Sequence, residues 1–122
     1  MRMPEANSTD LSSKTLKKYS VLAQIPWRVT KVDSIESACN IAVAELSKRL
    51  PHYVNLDVPL IRCRCGKTQK AAYLSVDEAL VTVVAEMKVV ADSEAGAKRV
   101  AASVLRKSLG KRSFRITEAE VT

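Results

Sequence analysis

Apolar and polar positions alternate with a period of two along two long stretches of the chain, and each stretch is followed by a segment of helical period. Tyr19, Val21, Ala23, Ile25, Trp27 and Val29 recur at every second position with mostly polar residues between them. That is the pattern of a strand with one buried face. Pro26 cannot donate to a ladder, so it predicts an edge position or a bulge. Trp27 shares the inward phase and reads as core, because aromatic rings act mainly through the area they bury; an edge ring stacked on a base is the other reading. From Leu80 to Val90 β-branched residues dominate, which predicts a central strand despite the helix-forming Ala85-Glu86-Met87-Lys88.

The helical segments carry their own start and stop signals. Asp33 is expected to cap the first, with Glu36 three residues on completing a capping box. Ile35, Ala38, Cys39, Ala42, Val43, Leu46 and Leu50 fall on one face, and Pro51 ends the run. Cys39 lies on that stripe, where a thiol behaves as a small hydrophobe. The second helix is capped at Asp92 or Ser93, buries Ala97, Val100, Ala101, Val104, Leu105 and Leu109, and stops at Gly110. Between them, Val54, Leu56, Val58 and Leu60 predict a strand and Ile61 to Lys67 a tight basic turn. Ala71 to Ser75 reads as a short strand or link, and Val76 to Ala79 as a turn or a short helical segment. Phe114 begins the last strand, where Glu118 and Glu120 break the alternation and predict a bulge or a frayed end.

The two halves align at an offset of about 59 residues: Asp33, Ser34, Ala38, Ala42, Leu46, Lys48 and Leu50 correspond to Asp92, Ser93, Ala97, Ala101, Leu105, Lys107 and Leu109. Each half is strand, capped helix, strand. The expected fold is α+β: duplicated β-α-β units forming an antiparallel sheet with two helices on one face, a ferredoxin-like sandwich. It would span residues 19–122 as a single domain, preceded by a flexible basic tail over residues 1–18. Exposed faces and edges of such sheets pair between subunits, so a homodimer is expected.

Composition narrows the classes. With 122 residues, 47% of them hydrophobic and 27% charged, the chain matches one ordinary globular domain. No apolar run approaches the ~20 residues that cross a bilayer, and no apolar leader segment is visible. A cytoplasmic protein with reduced thiols and no membrane partner is expected. The formal charge of +7 points to a polyanionic partner, RNA or a ribonucleoprotein, or else to charge that serves only solubility.

Two sets of residues could carry chemistry. Lys98, Arg99, Arg106 and Lys107 lie on the outer side of the second helix, with Glu94 as one in-helix partner of Lys98. Arg62, Arg64 and Lys67 add charge at the turn. Clustered Lys and Arg bind phosphates with salt-dependent, mostly sequence-independent affinity; a solvated helix face is the alternative. No pair of sheet-face aromatics of the kind that reads single-stranded RNA is visible, so backbone recognition fits better. The second set is Cys63 and Cys65. Two thiols one residue apart supply half of a tetrahedral zinc site, which two protomers could complete between them; a plain hairpin turn is the alternative. The flanking cations would favour the thiolate. Gly66, Gly96 and Gly110 are too scattered for a phosphate loop, and His52 has no nucleophile partner, so catalysis is not expected.

From about Tyr19 to Val121 the chain resembles an archaeal family known as domain of unknown function 555, also catalogued as uncharacterised protein family 0212. The resemblance rests on Trp27-Arg28-Val29, Asn40-Ile41-Ala42-Val43 through Lys48-Arg49-Leu50, Ala79-Leu80-Val81, Glu86-Met87-Lys88-Val89 and Ser93-Glu94. It implies an archaeal cytosolic protein and supplies no activity. Members carry a Cys-Pro-x-Cys-Gly turn where this chain has Cys63-Arg64-Cys65-Gly66, one residue shorter between the thiols.

Overall fold

A computed structural model of the chain describes residues 16–62 and 68–122, and for Arg62 the main chain alone. The elements are β1 (Lys17–Thr30), α1 (Ile35–Arg49), β2 (Asn55–Asp57), β3 (Leu60–Arg62), β4 (Thr68–Lys70), β5 (Ala72–Ser75), β6 (Glu78–Ala91), α2 (Glu94–Leu109) and β7 (Arg115–Val121). Of the expected tail, residues 1–15 lie outside the described residues.

The architecture is α+β with an antiparallel sheet and two helices. β1 and β6 pair along their whole lengths, from Lys17 with Ala91 to Thr30 with Glu78. β7 pairs with the other edge of β1, and β2 and β5 with the other edge of β6, so the order is β2-β6-β1-β7 with β5 beside β2's position. β3 and β4 form a separate two-stranded ladder.

The period-two pattern sets which face is buried. Tyr19, Val21, Ala23, Ile25, Trp27 and Val29 of β1 pack in one core with Ala79, Val81, Val83, Ala85, Met87, Val89 and Ala91 of β6. Both helices contact both central strands and add their own buried stripes to that core, so they cover the same face. Among the described residues no helix covers the other face of the sheet. No helix among the described residues is long and apolar enough to cross a membrane.

The two helices share their N-caps and most of their buried positions. Ser34 and Ser93 are the N-caps, their hydroxyls accepting from the N–H of Ser37 and of Gly96. Ala38, Ala42 and Leu46 are fully buried, as are Ala97, Ala101 and Leu105. The first cap is therefore Ser34 and not Asp33: the exposed Asp33 precedes the cap, and the hydroxyl that reaches back to the first turn comes from the extended Ser34. The strands do not keep the same offset. The inward positions are odd-numbered in both β1 and β6, so an offset of 59 cannot superpose them, whereas the caps are 59 apart. The phase changes at Lys31, which has φ 60° and lets Val32 turn back into the core.

Other departures have local causes. The run expected as one strand from Val54 to Leu60 divides: β2 ends at Asp57 and the chain leaves the main sheet through Val58 and Pro59 before β3. Pro59 supplies no N–H to continue a ladder. The ambiguous Val76-Asp77 is the turn of the β5–β6 hairpin, closed by the Ser75–Glu78 pair. Pro26 sits beyond the end of β7, whose pairing reaches only Gln24, so β1 has a neighbour on one side there. The bulge expected in the last strand is present: Ala23 opposes Ile116 and Leu22 opposes Glu118, leaving Thr117 over. Its hydroxyl donates to the Leu22 carbonyl at 3.1 Å.

Candidate nucleic-acid interface

α2 presents its basic residues on the side away from the core. Its buried stripe, Ala97, Ala101, Leu105 and Leu109, recurs every four residues, and Arg99, Arg106 and Lys107 are exposed. Arg99 and Arg106 are seven residues apart, two turns, which puts them on one side about 10 Å apart along the axis. Lys107 lies about a quarter turn round from Arg106. Lys98 flanks the core stripe, is half-buried, and has its Nζ 3.7 Å from Glu94 Oε1, the partner expected from the sequence. Among the described residues, Arg99, Arg106 and Lys107 have no carboxylate at ion-pair distance. Arg106 and Lys107 in the last turn also face the negative end of the helix dipole. That contribution to stability operates whether or not a ligand binds.

The structure brings a second basic group to this one. Trp27 is buried, its indole N–H donating to Glu45 Oε1 at 2.8 Å. The Arg112 guanidinium carbon lies 4.4 Å from the ring centroid and that of Arg49 5.3 Å. Both are within cation–π range. One ring thus gathers the last turn of α1, with Lys48 and Arg49, and the loop after α2, with Lys111 and Arg112. A guanidinium laid on an aromatic face keeps its N–H edge available for an oxyanion. The loop is aimed by Gly110, whose φ of 65° ends the helix and whose N–H donates to the Arg106 carbonyl.

Sequence reasoning placed Trp27 in the core and missed its role as the platform for Arg49 and Arg112. The signal was present as basic residues ending both helical segments, but nothing in the linear order joins residues 63 positions apart. The turn cations Arg64 and Lys67, and the thiols Cys63 and Cys65, lie outside the described residues, as does the Arg62 side chain; the zinc expectation rests on those thiols. Among the described residues no three His, Cys, Asp or Glu side chains group as metal ligands. Cys39 is buried on α1. Burial pushes its thiol above the ordinary value of 9.0, with Lys70 lowering and Glu36 raising it further.

A family model described as a protein of unknown function (DUF555) matches residues 19–122. A UPF0212 protein of Archaeoglobus fulgidus is 38% identical over 102 residues, covering 80% of this chain and 88% of the relative. One of Methanospirillum hungatei is 34% identical over 107 residues, covering 84% and 96%. One of Halobacterium salinarum is 35% identical over 94 residues, covering 72% and 78%. No solved structure matches the chain significantly.

Proposed function

The chain belongs to the DUF555 family, known from archaea as the UPF0212 proteins, and from that premise we propose that it binds RNA or a ribonucleoprotein through phosphate contacts. Lys98, Arg99, Arg106 and Lys107 carry those contacts on α2. Arg49 and Arg112 extend the surface, and Arg62, Arg64 and Lys67 belong to the same reading. The observation that supports it is the Trp27 platform, which holds two arginines from distant elements beside the basic end of α2. Charge kept only for solubility needs no such gathering. The architecture that accompanies the proposal is a ferredoxin-like sandwich of two duplicated β-α-β units. The strand order β2-β6-β1-β7 and the equivalent caps and stripes of α1 and α2 support it.

The test is RNA binding measured by fluorescence anisotropy across a salt series. Arg99→Glu with Arg106→Glu is expected to weaken binding and to lower the slope of log K against log salt by roughly 1 to 2, one phosphate contact being worth about 0.7 to 0.9. Both side chains are exposed, so the fold is retained. Binding and slope equal to those of the unaltered protein would remove α2 from the interface.

A further inference from the structure

The open face of the sheet carries a trough that the helix face does not explain. Across β5, β6 and β1 one row reads Tyr73, Leu80, Arg28, and Tyr73 is 70% exposed. Beside this row, where β3 and β4 approach the sheet, lies a cleft of about 500 Å³ lined by Gln24, Ile61, Gln69, Tyr73, Leu80 and Thr82 among others, all of them uncharged. A second hollow of about 290 Å³ shares Gln24 and Thr82 and is closed by Phe114 and Arg115. The two hollows are therefore contiguous, each with an aromatic wall.

The lining selects its occupant. With no cation among the described residues that line the larger cleft, a phosphate or carboxylate placed against them would lose its water without a partner. A purely apolar occupant would leave the amides of Gln24 and Gln69 and the Thr82 hydroxyl unpaired. An unpaired nucleobase matches both features, with apolar faces for Tyr73, Leu80 and Ile61 and a donor–acceptor edge for the amides. Cations stand at the rim, where the phosphates would lie. Arg28 is loosely held by Glu78 at 3.4 Å, Arg115 borders the smaller hollow, and the loop before Arg115 leads round the sheet edge to Arg112 on Trp27. Asp57, Glu86, Glu118 and Glu120 lie on the same face, Asp57 in the row of Gln24 at the trough's margin and the others in the rows of Leu22 and Ser20, where Lys88 is a cation among them. The acids outnumber Lys88 in those rows and disfavour a phosphate backbone there, whereas among the described residues Glu78 is the one acid beside Arg28 in the row next to Tyr73 and Leu80.

The geometry points to a site for single-stranded RNA on the open sheet face, taking unpaired bases in the two hollows while their phosphates reach Arg28 and Arg115. This deepens the phosphate-binding reading and rests on it. The loop from Gly110 to Phe114 joins the two surfaces, so one strand can touch both.

The experiment compares a short labelled single-stranded RNA, the same RNA in a duplex, and a ribose-phosphate oligomer of equal length without bases. The unaltered protein is expected to prefer the single strand over both. Tyr73→Ala should lower single-strand affinity about tenfold and abolish that preference, and Tyr73→Phe, which keeps the ring, should restore it. Equal affinity for all three ligands, or an unchanged preference in Tyr73→Ala, would overturn the trough. In that case salt-dependent binding that still falls in the Arg99→Glu, Arg106→Glu protein keeps the helix-face reading. Absence of binding to any of the three would overturn both.

Discussion

Trp27 shows how much one side chain can organise. Its ring fills the core end of β1, its N–H is satisfied by Glu45, and its faces receive Arg112 and Arg49. Glu45→Ala would leave a buried donor without a partner, and we expect a loss of about 1 to 3 kcal/mol in urea denaturation followed by circular dichroism. In a Trp27→Phe background, with no donor to orphan, the same change should cost clearly less. Equal costs in the two backgrounds would mean that the indole N–H is not what Glu45 serves. Cys39 gives a pH dependence. Its folded pKa is raised by burial, so above about pH 9 the unfolded chain releases a thiol proton that the folded chain keeps, and stability falls as pH rises. Below the unfolded value the contribution is fully present. Unfolding midpoints measured on either side of that window should fall more for the native protein than for Cys39→Ala; parallel declines would assign the alkaline loss to other groups.

At the scale of elements, burial periodicity explains what could be read in advance. β1, β6 and both helices are long, and each repeats one face over many residues, so their kind and most of their buried positions follow from the order of side chains; Val100, expected on the buried stripe of α2, is instead exposed. The Ser34 cap was less legible because Asp33 and Ser34 are both good capping residues, and only the backbone path decides between them. The division of Val54–Leu60 into β2 and β3 was hidden because alternation continues through Pro59, although the ladder does not. Two turns carry strain that can be measured. Lys31 and Val76 both have positive φ, 60° and 37°, and Val32 N–H donates to the Asp77 carbonyl between the two turns. A left-handed conformation costs a non-glycine residue roughly 1 to 2 kcal/mol, while glycine adds roughly 0.5 to 1 kcal/mol of unfolded-state entropy. The balance favours glycine most at the β-branched, 96% exposed Val76. Val76→Gly is expected to raise the thermal midpoint and Lys31→Gly to change it less, which scanning calorimetry can rank.

At the scale of the whole molecule, the two faces of the sandwich differ in what they offer. The helix side displays charge and the sheet side a neutral trough, with the loop from Gly110 to Phe114 between them. The helical charge was visible in the sequence because Lys and Arg recur away from an apolar stripe. The trough was not, since its walls come from β1, β3, β4, β5, β6 and β7 and from the segments beside them, and no periodicity links Gln24 to Gln69 or Tyr73 to Phe114. Tyr73 and Phe114 also explain why the sequence showed no aromatic pair: Tyr73 lies on β5 and Phe114 just before β7, and they line different hollows.

The change of phase at Lys31 has a consequence for how the chain can vary. Surface connections ordinarily accept insertions and deletions more readily than the elements they join. The linker from Lys31 to Asp33 should not, because removing one residue would put Arg28 or Lys31 where Val29 or Val32 now meets the core. Its amino acids can be exchanged freely at the exposed positions, but its count cannot. Among relatives, gaps are therefore expected to collect between β2 and β5 and to avoid the approach to α1.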